Sequence, residues 1–308
     1  PIPDTFTKEQ SKHIIGVQAN VWTEYIKNSE QVEYMTFPRA LALSEIAWSA
    51  PVQKNWDTFS KKVTTHMQIL EDMHINTAKS VYDISFQVIS DENKNLAIQL
   101  SSPIKAKKIN YVLGGEKTNL SNGLVYNEPI QVNKPHLKIT TAFFNDDRQL
   151  GKTFTKEFNF KLHKGIGVPV NYIHSFSKTY QSNKDIGLTD GLLGTTDHLD
   201  GNWQGFEGTD FEVEIDLEMI KEVGSIQMNF LHKPNDWIFF PETIKIEISA
   251  DGEHYQSIEA NYNKPSKKIE IVNSKVVLNS KVRYIKIIAK NPDSEGNKWL
   301  FIDEIIID

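Results

Sequence analysis

The sequence predicts a multidomain chain in which a short βα segment is followed by two all-β sandwiches. Three observations predict it. Over residues 14–78 a β-branched run leads through a polar and aromatic loop into two helical patterns. From about Ala78 the apolar residues change to period two, with turn residues between the runs. After Gly165-Ile166-Gly167-Val168-Pro169, which reads as a short linker, a second series of alternating strands fills the rest of the 308 residues. This length suits about two domains by the usual size prior.

In the opening segment, Ile14, Ile15 and Val17 follow a polar lead-in, the pattern of a short buried strand. The chain then turns through Trp22, Thr23, Glu24 and Tyr25 into a helical pattern over residues 29–49, with Val32, Met35, Leu41, Leu43, Ile46 and Ala47 as its apolar set. Pro38 should end or kink that helix, because its ring removes a hydrogen bond and clashes with the preceding turn. A second helix has Asn55 as its N-cap and Asp57 in its first turn. Phe59, Val63, Met67 and Leu70 make one apolar stripe along it. In parallel βα folds the loops after the strands carry the active site, so Trp22 and Glu24 are site candidates. An indole can pack on the apolar face of a ring while a carboxylate accepts from hydroxyls. The alternative is a core tryptophan and a solvated loop acid.

The second segment alternates at Ile84, Phe86 and Val88, at Leu96, Ile98 and Leu100, at Ile130 and Val132, and at Leu137 and Ile139. Asp91-Glu92-Asn93, Gly114-Gly115, Asn122-Gly123 and Asn133-Lys134-Pro135 supply turns. The cluster Lys105, Lys107 and Lys108 reads as a solvated strand face. In the third segment strands are expected over 211–217, 225–231, 243–249, 284–289 and 300–307, with a turn at Ala250-Asp251-Gly252, the makings of a jelly roll.

Composition narrows the function. A formal net charge of -6 argues against a general nucleic-acid binder. With no cysteine, disulfides and thiolate metal sites are excluded. No apolar run is long enough to span a membrane. The nine histidines lack HExxH spacing, and His174 and His198 stand alone. Neither a P-loop, a GxGxxG nor a Ser-His-Asp order stands out, which sets aside nucleotide, hydride-transfer and serine-hydrolase chemistry.

GVQANVWTEY at 16–25, VEYMTFPRALALSEIAWS at 32–49 and NWDTF at 55–59 resemble the end of the catalytic barrel of family 20 glycoside hydrolases, the β-N-acetylhexosaminidases. The resemblance implies that residues 1–78 are the last βα unit and closing helix of a (β/α)8 barrel. It implies that Trp22 walls the pocket for a terminal N-acetylhexosamine and that Glu24 binds its outer hydroxyls. The family's acid/base Asp-Glu pair, carried on an earlier strand, is not in this chain. Asp303-Glu304 is no substitute: in LFIDEIIID neighbouring side chains point to opposite faces and cannot share one site. One strand and two helices cannot bury their own apolar faces, and a lone parallel strand has no ladder partners. The remainder of the barrel is therefore expected upstream, as a second chain or an earlier part of the native protein, and this chain alone is expected to be inactive with no cofactor for catalysis. Residues 79–165 resemble the small immunoglobulin-like sandwich that follows the barrel in chitobiase-like hexosaminidases.

LTDGLLGT at 188–195, Trp203-Gln204-Gly205, EISADGEHY at 247–255 and RYIKIIAKN at 283–291 followed by KWLFIDEI resemble the discoidin or coagulation factor 5/8 type C domain, close to family 32 carbohydrate-binding modules, over residues 166–308. In that family the positions matching Asp190, Thr195 and Glu304 give side-chain oxygens to a structural calcium. The alternative for Asp190 is that it simply begins a turn with Gly191. Trp203, His232 and Trp237 are candidates for a glycan surface, against a core role for each, while packing is favoured for Trp299 and Phe240. Two functions follow: the carboxyl-terminal portion of an exo-acting β-N-acetylhexosaminidase working by substrate-assisted hydrolysis, or a non-catalytic fragment that binds glycans through its discoidin-like domain. By resemblance the protein is exported, to the bacterial periplasm or cell surface. Its expected partners are N-acetylhexosamine-terminated glycans and the rest of the barrel.

Overall fold

In the computed structural model, which describes every residue except 1, 4, 105–107, 115–118 and 295, the chain is mostly β-sheet with few helices. The expected positions Lys105, Lys107 and Gly115 lie outside the described residues. Two compact units form, one of residues 1–85, 101–126 and 140–155, the other of residues 86–100, 127–139 and 156–308.

The polar lead-in of the first unit is a helix, α1 (Lys8–Lys12), started by a capping box between Thr7 and Gln10. The strand expected at 14–17 does not form. Residues 14–23 have no regular structure, and Ile15 is 98% exposed. A strand's N–H and C=O groups need a ladder, and among the described residues no strand pairs with this segment. Helix α2 (Ser29–Thr36) is capped by Asn28 Oδ1, which accepts from Gln31 N at 2.9 Å. Phe37 then turns extended, as the residue before a proline does, and α3 (Arg39–Trp48) begins after Pro38. The helical pattern over 29–49 is thus interrupted at Pro38, as its ring requires, and neither of the two helices buries a residue. By contrast α4 (Trp56–Asp72) is capped by Asn55 and buries Val63, Met67 and Leu70, with Phe59 half-buried. Lys62 Nζ on α4 reaches Glu45 of α3 at 3.0 Å.

The next strands are β1 (Ser85–Ser90), β2 (Leu96–Ser101), β3 (Lys108–Leu113), β4 (Leu124–Val125), β5 (Ile130–Gln131), β6 (His136–Asn145) and β7 (Arg148–Asn159). They make a three-stranded sheet in the order β1-β2-β5 and a four-stranded one in the order β4-β3-β6-β7. The β1–β2 turn is set by Asp91, whose Oδ1 accepts from Asn93 N and Asn95 N at 2.9 and 2.8 Å, with Lys94 at φ 63.

The second unit adds β8 (Asn171–Tyr172), β9 (Gln204–Glu207), β10 (Phe211–His232), β11 (Ile244–Ser249), β12 (Gln256–Glu259), β13 (Asn261–Tyr262), β14 (Glu270–Ala289) and β15 (Trp299–Ile307). The main path runs β12-β11-β14-β10-β15-β9. Strands β10 and β14 pair antiparallel along their whole length, with breaks in register between Asp216 and Lys221 and between Val223 and Ser225. At these breaks the ribbon bends. Val213 and Ile215 from one half of β10 and Ile226, Met228 and Phe230 from the other then share a single core with Ile244, Ile285 and Ile305. The two strands expected at 211–217 and 225–231 are therefore one bent strand. Where the sequence alternates the burial does too: Phe211, Val213, Ile215 and Leu217 are inside, and Glu212, Glu214 and Asp216 outside.

Residues 165–169 are not a free linker. A Cβ on Gly165 would come within 2.7 Å of Ile307, and one on Gly167, which has φ 69, within 2.6 Å of the Lys94 carbonyl. Lys164 N donates to Ile307 O at 2.7 Å and Gly167 N to Thr189 O at 2.8 Å. The glycines are there for close packing, Gly165 on the last strand and Gly167 on the β1–β2 turn, rather than for looseness.

Candidate functional site

Three groups of candidate residues lie on different elements. The first is Trp22 and Glu24. Both are exposed, Trp22 by 77% at the end of the segment that has no regular structure and Glu24 in the turn closed by Ile26 N donating to Thr23 O at 3.0 Å. Neither lines any of the recesses described among the described residues.

The second group lies in the turn after β10. Pro234–Asp236 make a single 3-10 turn, and Trp237 caps it at φ 62, ψ 21. A bulky residue in the left-handed region is strained and persists only where its surroundings fix it. Here Trp237 N donates to Pro234 O at 3.0 Å, Trp299 N donates to Trp237 O at 2.8 Å, and Lys233 N donates to Ile238 O at 2.9 Å. The indole stands 58% exposed. Beside it Lys233 Nζ holds Asp236 Oδ2 at 2.6 Å, and His198 Nδ1 is 3.6 Å from the same oxygen. The Lys233 bond keeps the Asp236 carboxyl below the usual range. An exposed aromatic face with fixed donors and acceptors can take up a polyhydroxylated ring. The spacing of Lys233 and Asp236, three residues apart, was the available sequence signal for this pair; nothing local brings in His198.

Of the other two nominees, Trp203 is in the core. It is 1% exposed, packs with Leu231, Ile238 and Phe301, and donates its indole N–H to Thr195 O at 2.9 Å. A Cβ on Gly194 would collide with its ring, so the glycine makes room for it. Trp203 offers no face to a ligand. His232 is half-buried against the edge of Phe239, its Nδ1 is buried without a hydrogen bond, and burial pushes its pKa down. Phe240 is 8% exposed and Trp299 half-buried, both packed.

The third group is a set of buried acids. Asp190, Asp303 and Glu304 are exposed by 1% or less. Glu304 Oε1 accepts from His163 Nε2 at 2.7 Å and from Gly191 N at 2.9 Å. His163 Nδ1 receives Gly165 N at 3.1 Å and Ile307 N at 3.3 Å, so that nitrogen is the acceptor and Nε2 carries the proton. Asp303 turns the other way, to Gly194 N at 2.9 Å and Asn229 Nδ2 at 3.2 Å. The two neighbouring acids thus serve different partners. Burial raises Asp190 and Asp303 to about 7, and Glu304 well above the carboxylate range.

Asp190 Oδ2 and Glu304 Oε2 are buried without a hydrogen-bond partner. Two orphaned carboxyl oxygens fit a hard cation, which gathers several oxygens and would hold them ionised. Thr195 does not join them: it is exposed, its Oγ1 accepts from Asp197 N at 3.2 Å, and its carbonyl is taken by Trp203. No group of three or more His, Asp or Glu side chains arranged to hold a metal occurs among the described residues.

Comparison with known proteins matches two parts of the chain. Residues 1–51 match the glycosyl hydrolase family 20 catalytic domain, and residues 173–305 match the F5/8 type C domain. A beta-hexosaminidase of Porphyromonas gingivalis is 32% identical over 74 residues, which are 24% of this chain and 9% of that protein. A beta-N-acetylhexosaminidase of Cellulomonas fimi is 43% identical over 53 residues, 17% of this chain and 11% of that protein. The chain thus spans about a tenth of the length of these relatives. Among solved structures, a CBM32 module produced by Clostridium perfringens, in complex with glcNAc-alpha-1,4-galactose, covers 49% of this chain and 95% of its own at 13% identity and a TM-score of 0.33. The lectin domain of lectinolysin complexed with Lewis B antigen covers 48% and 97% at 12% identity, also with a TM-score of 0.33.

Proposed function

We propose that this chain is the carboxyl-terminal portion of an exo-acting β-N-acetylhexosaminidase. The observation that carries the reading is the family 20 match over residues 1–51, which contains GVQANVWTEY, together with the exposure of Trp22 and Glu24 on a segment without a partner strand. In the complete barrel Trp22 stacks on the terminal N-acetylhexosamine and Glu24 accepts from its outer hydroxyls. The acetamido oxygen of the substrate attacks the anomeric carbon, while a carboxyl on the upstream part of the barrel protonates the leaving oxygen. Residues 1–78 are then the last βα unit of that barrel, residues 79–165 a bracing sandwich, and residues 166–308 a discoidin-like glycan-binding module. The enzyme is exported to the periplasm or cell surface, where its glycans are. No helix is long and apolar enough to cross a membrane.

The test is hydrolysis of a chromogenic N-acetylglucosaminide by the 308-residue chain alone and by the same chain supplied with the upstream barrel segment. Activity only in the complemented sample is expected. Activity of the chain alone would refute an upstream acid/base pair.

Trp237, exposed beside the Lys233–Asp236 pair, favours the second reading, a fragment that binds glycans without hydrolysing them. The two readings part on the complemented sample, which stays inactive under the second. In either case Asp190 and Glu304 would hold a structural calcium, which neutralises their buried charge. Chelation should then lower the melting temperature, and elemental analysis should find the metal. An unchanged melt with no metal bound would remove it.

A further inference from the structure

The outer face of the β8-β10-β14 sheet carries a recess of about 360 Å³, which shares no residue with the Trp237 turn. Its floor follows from register. On β10 the odd residues Val213, Ile215 and Leu217 are buried, which turns Glu214 and Asp216 outward. On β14 Ile285 and Ile287 are buried, and Tyr284 and Lys286 face out. Asn171 of β8 pairs with Glu214, Glu214 with Lys286, and Lys286 with Glu247 of β11. Asp216 pairs with Tyr284 in the next row. Polar groups therefore cross the sheet in rows at the strand spacing of about 4.8 Å. Tyr255, from the turn after β11, and Tyr284 border the recess, and Lys94 of the β1–β2 turn reaches over it.

Every charge at this site is matched. Lys286 holds Glu214 at 2.9 Å, Arg283 holds Asp216 through two bonds of 2.8 and 2.9 Å, and Lys94 holds Glu218 at 3.1 Å. An anion entering the recess would meet the carboxylates of Glu214, Asp216 and Glu218, and a cation would meet Lys94 and Lys286, with Arg283 already bonded to Asp216. The pairs also fix direction: Lys286 Nζ lies 4.6 Å from the Tyr255 ring centre, and the Arg283 guanidinium 4.8 Å from that of Tyr284. Lys286 and Glu214 remain 34% and 41% exposed, so donors and acceptors are held in place yet still reachable. Ion pairs on a flat sheet are ordinary solvated surface. Here they floor a concave site with two half-buried phenol rings, at the small end of the ligand-pocket range of about 300–1,000 Å³.

We infer that this recess is a second saccharide site, for a neutral sugar of one or two rings whose hydroxyls bridge Glu214, Asp216 and Lys286 and whose C–H face packs on Tyr255 and Tyr284. The preformed pairs mean that little side-chain freedom is lost on binding. The site would let the chain hold a glycan on its sheet face independently of the loop end.

The test uses the intact 308-residue chain carrying Trp237→Ala, so that the turn contributes nothing. Methyl β-glucoside, methyl β-galactoside and N,N'-diacetylchitobiose are titrated by calorimetry, with glucosamine and glucuronate as charged controls. At least one neutral probe should bind, and Glu214→Gln or Tyr255→Ala should weaken it about tenfold or more, the worth of a hydrogen bond to a charged group. Glu214→Gln keeps the shape of the side chain and so guards against a folding defect in Tyr255→Ala, with the melting temperature as the control. Absence of binding by all three neutral probes overturns the inference. So does affinity that neither substitution changes, or tighter binding of a charged control than of any neutral sugar. Loss of binding on Trp237→Ala alone would leave the loop-end reading standing while this one falls.

Discussion

His163 is the residue on which the buried acids depend. Its side chain and that of Glu304 are both fully inside, and burial pushes the histidine down to about 4. In the unfolded chain the imidazole takes a proton near 6.5, while in the native protein it stays neutral to about 4. Between those values the unfolded state binds more protons, so the contribution of His163 to stability is complete above about 6.5 and is lost as pH falls toward 4. The loss is on the order of 3 kcal/mol by linkage. Asp190 and Asp303, raised to about 7, work in the opposite sense as pH rises from 4 to 7, so the wild-type slope alone is a mixture. The difference between wild type and His163→Gln, in urea melts from pH 4 to 7, isolates it: the wild type should lose ground as pH falls, and parallel profiles would show that the imidazole does not titrate as argued. The resemblance led to Glu304 and Asp190 but not to His163, because a single histidine carries no spacing signal and its partner is 141 positions away.

At the scale of elements, alternation proved the most readable signal. Ile244, Ile246 and Ile248 are buried with Lys245 and Glu247 between them, and the α4 stripe of Val63, Met67 and Leu70 is buried as its spacing requires. Strand β7 escaped the reading because it is an edge strand, mostly exposed, whose Lys152, Lys156 and Glu157 blur any period of two. The strand expected at 14–17 failed for a different reason: local propensity favours it, but a ladder is a tertiary property. The glycines at 165 and 167 misled in the opposite direction, since composition alone cannot separate a loose joint from a tight contact. From that contact follows an expectation. A fragment starting at Val168 loses His163 and the Lys164–Ile307 bond, and leaves buried Glu304 with Gly191 N but without its side-chain donor, a loss worth about 1–3 kcal/mol for a buried hydrogen bond. Fragments of unit two that begin at 156 and at 168 should therefore melt well apart. Equal melting temperatures would show the segment to be dispensable.

Over the whole molecule, burial is unevenly distributed. The core of the second unit draws on nearly every strand, whereas α2 and α3 bury nothing, and Ile15, Trp22, Tyr25, Trp48 and Val52 stand in water. Soluble proteins seldom leave so many large apolar groups open in one stretch unless another surface covers them. Four of the six tryptophans divide along the same line. Trp203 is sealed in the core, while Trp22, Trp48 and Trp56 are 77%, 91% and 55% exposed on the amino-terminal stretch. Emission from the chain alone should consequently be dominated by water-relaxed indoles at long wavelength, with Trp203 and the packed Trp299 emitting to the blue. Titration with the upstream barrel segment should move the spectrum to shorter wavelength and shield those three side chains from iodide or acrylamide. A spectrum and quenching constant that do not change would separate the two pieces for good. The uncovered indoles thus give the chain an optical gauge of its own assembly, readable without label, substrate or turnover.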